Sequence, residues 1–141
     1  MGEGIGLLMT YEVFTRNLMC LKPYRKMRKE LKGELETIFY DMTGVKGVSF
    51  GNVPVSFNPS MEAIKKLEMI EKYEDKLREY NFVNLCIQEI EKQLDRMPDN
   101  IKAMLTDVYV KNMTFAKASV KYGYSDGGFW NMLKRETEKH L

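Results

Sequence analysis

The sequence predicts an all-α protein: a long helical hairpin or coiled-coil arm over residues 10–97, followed by a C-terminal helix-turn-helix over residues 98–141. Three observations predict it. Apolar residues recur at spacings of three and four through most of the chain. After Ser60 the chain runs to Met97 without a proline or glycine. Thr114, Gly123 and Ser125 stand where short helices start and stop. The 141 residues, 30% charged and 44% hydrophobic, leave room for one medium domain or a small domain with an extended helical segment. They fit neither a disordered polar tract nor a membrane protein, since no uninterrupted apolar run approaches a spanning length.

Residues 1–9 read as a disordered leader. The stretch Gly4 to Met9 is short and lacks a preceding basic region, so it is not a secretory signal. Thr10 is suited to cap a first helix carrying Phe14, Leu18 and Leu21, and Pro23 predicts a break or a new first turn. From there Tyr24, Leu31, Leu35, Ile38 and Met42 form a heptad-like stripe that Gly44 stops. Over residues 43–59 glycines alternate with valines around Pro54, which reads as a long loop or short hairpin.

Ser60 then caps one long helix with the stripe Ile70, Tyr73, Leu77, Tyr80, Val83, Ile87, Ile90, Leu94 and Met97. Its short step near Val83 resembles a coiled-coil discontinuity, and its length is about 55 Å at the helical rise. Such a stripe needs cover from the first helix, from a second copy of the chain, or from both, which predicts an antiparallel hairpin able to dimerise. Eleven methionines make its core adaptable. Cys20 and Cys86 lie in apolar helical surroundings without a CxxC spacing or His neighbours, so free buried thiols are expected.

The net charge of +2 conceals a segregation of signs. Lys22 to Lys32 is basic, Glu62 to Glu91 is rich in acid, and Lys111, Lys117, Lys121, Lys134 and Arg135 face only Asp126 between residues 111 and 135. That last stretch is the kind of surface that neutralises phosphates. Enzymatic motifs are missing: the single histidine is His140, and Gly2 to Gly6 lacks the strand and lysine of a phosphate loop. No catalytic residue, metal ligand or cofactor is expected.

Pro98 suits the first turn of a supporting helix carrying Ile101, Met104, Leu105, Val108 and Tyr109, with Asn112 as its stop. Thr114 then caps a short helix with Phe115, Ala118 and Tyr122 inward, Gly123 permits a left-handed turn, and Ser125 caps the last helix. In that helix Phe129, Met132 and Leu133 face the preceding helices, which leaves Asp126, Gly127, Trp130, Asn131 and Lys134 outward.

The series Thr114-Phe-x-x-Ala-Ser-x-x-Tyr-Gly-Tyr-Ser125, with an apolar Phe129 four residues on, resembles the T-L-x-x-I-A-x-x-L-G-L-S-x-x-x-V pattern of sigma factor region 4. A long charged helical pair, a Gly/Val loop and this motif at the C-terminus together resemble the phage-encoded RinA and ArpU type of transcriptional regulator. The resemblance implies a cytoplasmic protein of a bacterial host cell that activates late phage genes, with double-stranded DNA and host RNA polymerase as partners and no membrane. It places Asp126, Gly127, Trp130 and Asn131 where sigma-like recognition helices approach base edges. Around them Ser125, Lys117, Lys121, Lys134 and Arg135 complete the candidate DNA-binding set.

The pattern departs from the sigma type at Gly127 and Gly128, where sigma-like helices often carry Arg and Glu. Two glycines weaken a helical turn by up to about 1 kcal/mol each, and they also permit close backbone approach to DNA. Two other classes share these features: a small terminase-like DNA-packaging subunit, and a coiled-coil adaptor with a non-binding helix-turn-helix. The first ordinarily carries its DNA domain at the N-terminus, whereas here the motif is C-terminal.

Overall fold

A computed structural model of the chain describes residues 9–43 and 61–141. All regular structure among these residues is helical: α1 (Tyr11–Thr43), α2 (Met61–Asp95), α3 (Asp99–Leu105), a π-helical turn (Thr106–Val110), α4 (Phe115–Tyr122) and α5 (Asp126–Glu138). The leader, the Gly/Val segment at 43–59 and the Ser60 cap lie outside the described residues, apart from Met9 and Thr43. The described residues divide between two units, Met1–Tyr24 with Cys86–Leu141 and Arg25–Leu85. The division falls inside the two long helices, because Phe14, Leu18 and Leu21 of α1 and Ile87, Ile90 and Leu94 of α2 are core residues of the unit that holds α3 to α5.

α1 starts as its sequence predicts: the Thr10 hydroxyl accepts from the Val13 amide at 3.2 Å and its carbonyl from Phe14 at 2.9 Å. The break expected at Pro23 does not occur, and one helix runs from Tyr11 to Thr43. Proline removes one backbone hydrogen bond, to the Met19 carbonyl, at a cost of about 3 kcal/mol. Met19 and Pro23 are both exposed, so water can meet that carbonyl. Buried Leu18 and Leu21 before the proline, and Leu31, Leu35, Ile38 and Met42 after it, contribute about 1.5–3 kcal/mol each and offset the loss.

In the unit formed by Arg25–Leu85, α1 and α2 run antiparallel. Arg28 donates to Asn84 at 2.9 Å, Glu34 pairs with Lys76 at 3.3 Å and Phe39 meets Tyr73 with ring centroids 6.2 Å apart, so residue numbers rise on one helix as they fall on the other. The long stripe on α2 is unevenly covered. Val83 is buried, whereas Ile70, Tyr73 and Tyr80 are half-buried and Leu77 is 36% exposed.

In the other unit the α1 residues from Tyr11 to Leu21 and the α2 residues from Ile87 to Leu94 enclose a core with Met97, Ile101, Met104, Leu105, Ala118, Phe129 and Leu133. Both cysteines are free, and both are half-buried rather than buried. α3 begins after Pro98, and its last turn widens into the π-helical turn, where the Lys111 amide reaches back to the Thr106 carbonyl at 2.9 Å. The extra residue in that turn rotates the register so that Asp107, Val108 and Val110 are all buried. Asn112, at φ 60°, closes it in the left-handed region, as its place at the predicted stop requires.

Candidate nucleic-acid interface

The tight turn between α4 and α5 is built from the three residues that announce it in sequence. The Thr114 hydroxyl accepts from the Lys117 amide at 3.2 Å and starts α4. Gly123 adopts φ 79°, and its amide bonds to the Val120 carbonyl at 3.3 Å while that of Tyr124 bonds to Ser119 at 2.8 Å. This pair of bonds is the Schellman closure of a helix, which needs a left-handed residue and so selects glycine. Ser125 then caps α5, its hydroxyl accepting from Gly128 at 3.2 Å. A Cβ on Gly128 would lie 2.7 Å from that hydroxyl, whereas one on Gly127 would meet open space.

Packing fixes the inner side of α5. Phe129 and Leu133 are fully buried, and the Phe129 ring stacks on Tyr122 with centroids 6.0 Å apart and touches Phe115 and Tyr124. Met132 is half-buried beside them. The opposite side presents Gly127, Trp130 and Asn131, all exposed, with Trp130 at 38%.

Asp126, expected on the outward face, is exposed, yet its carboxylate accepts from the buried Ser119 hydroxyl at 2.7 Å. It therefore latches α4 to α5 and meets the N-terminal dipole of its own helix.

The basic residues divide into two groups. Lys117 is exposed on α4, and Arg135 is exposed on α5 beside Glu136 at 3.4 Å. Lys121 turns the other way, its ammonium 2.7 Å from Asp107. Lys134 lies 3.5 Å from Glu12 and 5.1 Å from the centre of the Trp130 ring. Their sequence positions predict phosphate contacts, and here each is engaged by an acid from another helical element.

Asp107, 5% exposed, is the residue that sequence reasoning missed. It accepts from Lys121 and, at 2.5 Å, from the Tyr122 hydroxyl, while Lys111 lies 3.9 Å from its other oxygen. The bond from Lys121, then that from Tyr122, holds its carboxyl below the ordinary range against the opposing effect of burial. Lys121 is shifted upward by the same bond, and the Tyr122 hydroxyl upward by burial and by its bond to Asp107. A lone acid in the apolar run from Ile101 to Val110 was the available signal. Glu12 gave none, since its partner is on the last helix.

The first turn of α1 also reaches this face. Tyr11 is buried, its hydroxyl 2.6 Å from that of Tyr109 and its ring edge-on to Trp130 with centroids 6.3 Å apart. Burial and the bond to Tyr109 push the Tyr11 hydroxyl far upward, so it is a neutral packing group. Comparison of the chain with protein-family models, with curated proteins and with solved structures finds no match. Among the described residues no three His, Cys, Asp or Glu side chains are grouped to hold a metal ion, and no helix is long and apolar enough to cross a membrane.

Proposed function

We propose that the chain is a sequence-specific DNA-binding transcriptional regulator, of the late-gene activator kind found in phages and prophages, acting in the cytoplasm of a bacterial host. α4 and α5 serve as its helix-turn-helix, and α5 is the helix that enters the major groove. The observation that carries this reading is the exposed row Gly127, Trp130 and Asn131 on the first turns of a helix whose other side is locked by Phe129 and Leu133. A rigid helix with polar and aromatic groups at its N-terminal end suits base reading, and the sigma-like motif places the same residues there. RNA polymerase, and a second copy of the chain through α1 and α2, are the protein partners this reading expects. One observation favours a coiled-coil adaptor that leaves DNA alone: Lys111 and Lys121 turn onto Asp107, and Lys134 onto Glu12.

Footprinting over the DNA flanking the chain's own coding sequence decides between them, because a regulator protects a discrete site. On that site Asn131→Ala loses about 1–3 kcal/mol, and little on scrambled DNA, because asparagine bonds bidentately to adenine. Arg135→Ala weakens both alike and makes the salt dependence shallower by roughly one unit of slope, as the loss of one phosphate contact requires. Absence of any protected site, with both variants binding like the parent, rejects the regulator and leaves the adaptor.

A further inference from the structure

We propose that Glu12, in the first turn of α1, competes with DNA phosphate for Lys134, so that the start of α1 is a built-in brake on the α5 face; this rests on the DNA-binding reading above. Lys134 follows Trp130 by four residues and Asn131 by three, which puts it one helical turn further along the same face. A lysine there is the natural phosphate contact for a helix entering a groove. Its ammonium is instead 3.5 Å from the Glu12 carboxylate and held over the Trp130 ring.

The placement of Glu12 follows from its neighbour. Tyr11 is buried, bonded to Tyr109 and edge-on to Trp130, which anchors the first turn of α1 against α5. With Tyr11 fixed, the next residue faces Lys134. A carboxylate and a phosphate offer an ammonium the same thing, anionic acceptor oxygens, and Lys134 serves one or the other. The pair is partly solvated, with Lys134 34% and Glu12 56% exposed, so it is weak and screened by salt. It acts as a brake that DNA displaces, not a lock.

The test is a double-mutant cycle on full-length protein, titrating a scrambled fluorescent duplex at about 50 mM and about 200 mM salt. Glu12→Gln is expected to tighten binding about two- to five-fold at the lower salt and less at the higher, the range for an exposed ion pair. The same substitution in a Lys134→Met background is expected to gain nothing. Glu138→Gln makes the same change of charge near Tyr11, one helical turn beyond Lys134, and is expected to gain less than Glu12→Gln, whose carboxylate is the one at 3.5 Å from the ammonium. Trp130 is the sole tryptophan, so its emission without DNA reports whether Lys134 leaves the ring in Glu12→Gln, and an emission equal to the parent's counts against the brake.

Equal gains in the two backgrounds mean general repulsion, and that, or no gain in the parent background, overturns the brake while DNA binding stands. If no variant binds duplex at either salt, the DNA-binding reading falls and the brake with it.

Discussion

Gly127 and Gly128 look alike in sequence and differ in what surrounds them. Gly128 lies under the Ser125 cap, where a Cβ would displace the hydroxyl that starts α5, while Gly127 faces open space. Gly127→Ala is therefore expected to stabilise the fold by up to about 1 kcal/mol through helix propensity. Gly128→Ala gains the same propensity and loses a cap worth about 0.5–2 kcal/mol, so it is neutral or destabilising. Thermal unfolding followed by circular dichroism separates them, and equal stabilisation by both would contradict the cap geometry. Only the surroundings show which glycine a cap demands and which is spare. Asp126 has the same ambiguity: its spacing says outward, and Ser119 decides that its carboxylate is a latch.

At the scale of elements, periodicity predicts which helices exist better than how deeply each is covered. The caps of α1, α4 and α5 and the turn at Gly123 stand where their residues place them, because these features depend on a few neighbours along the chain. Pro23 and the π-helical turn are different. Each departs from local preference where the burial of residues on either side outweighs it. Leu77 and Ile87 share one stripe on α2, but Ile87 is fully buried and Leu77 is 36% exposed. Ile87→Asp is expected to cost more than about 3 kcal/mol, since it buries an unpaired charge, and Leu77→Asp less than about 1 kcal/mol. Urea midpoints measure both, and matching losses would mean that the Leu77 face is covered in solution by a second copy of the chain.

On the scale of the whole molecule, Asp107 ties the π-helical turn to α4 through Lys121 and Tyr122, with Lys111 also facing it. Its carboxyl is held below the ordinary range in the folded state, so its contribution is complete above the unfolded value of about 4 and is lost as pH falls through the lower folded value. Lys121 is shifted upward, so its share is present at neutral pH and lost in strong alkali, above about 10.4. Asp107→Asn is therefore expected to lose about 1–3 kcal/mol of stability near pH 7, and the gap from the parent closes as pH drops below about 4. Denaturant titrations of both proteins across pH 2–8 test this, and a gap independent of pH would remove Asp107 as an ionised tie. Caps and apolar spacing act within a turn or two of the backbone, so the chain's helical character, the starts and stops of its C-terminal helices and the inward side of α5 are legible in residue order alone. Packing between distant segments sets the rest: Lys121 and Lys134 meet Asp107 and Glu12, one helix runs through Pro23, and the α2 stripe is buried only from Val83 onward. Those outcomes depend on residues distant in sequence arriving at one place, and no periodicity along the chain encodes which of two exposed-looking cations will find an acid.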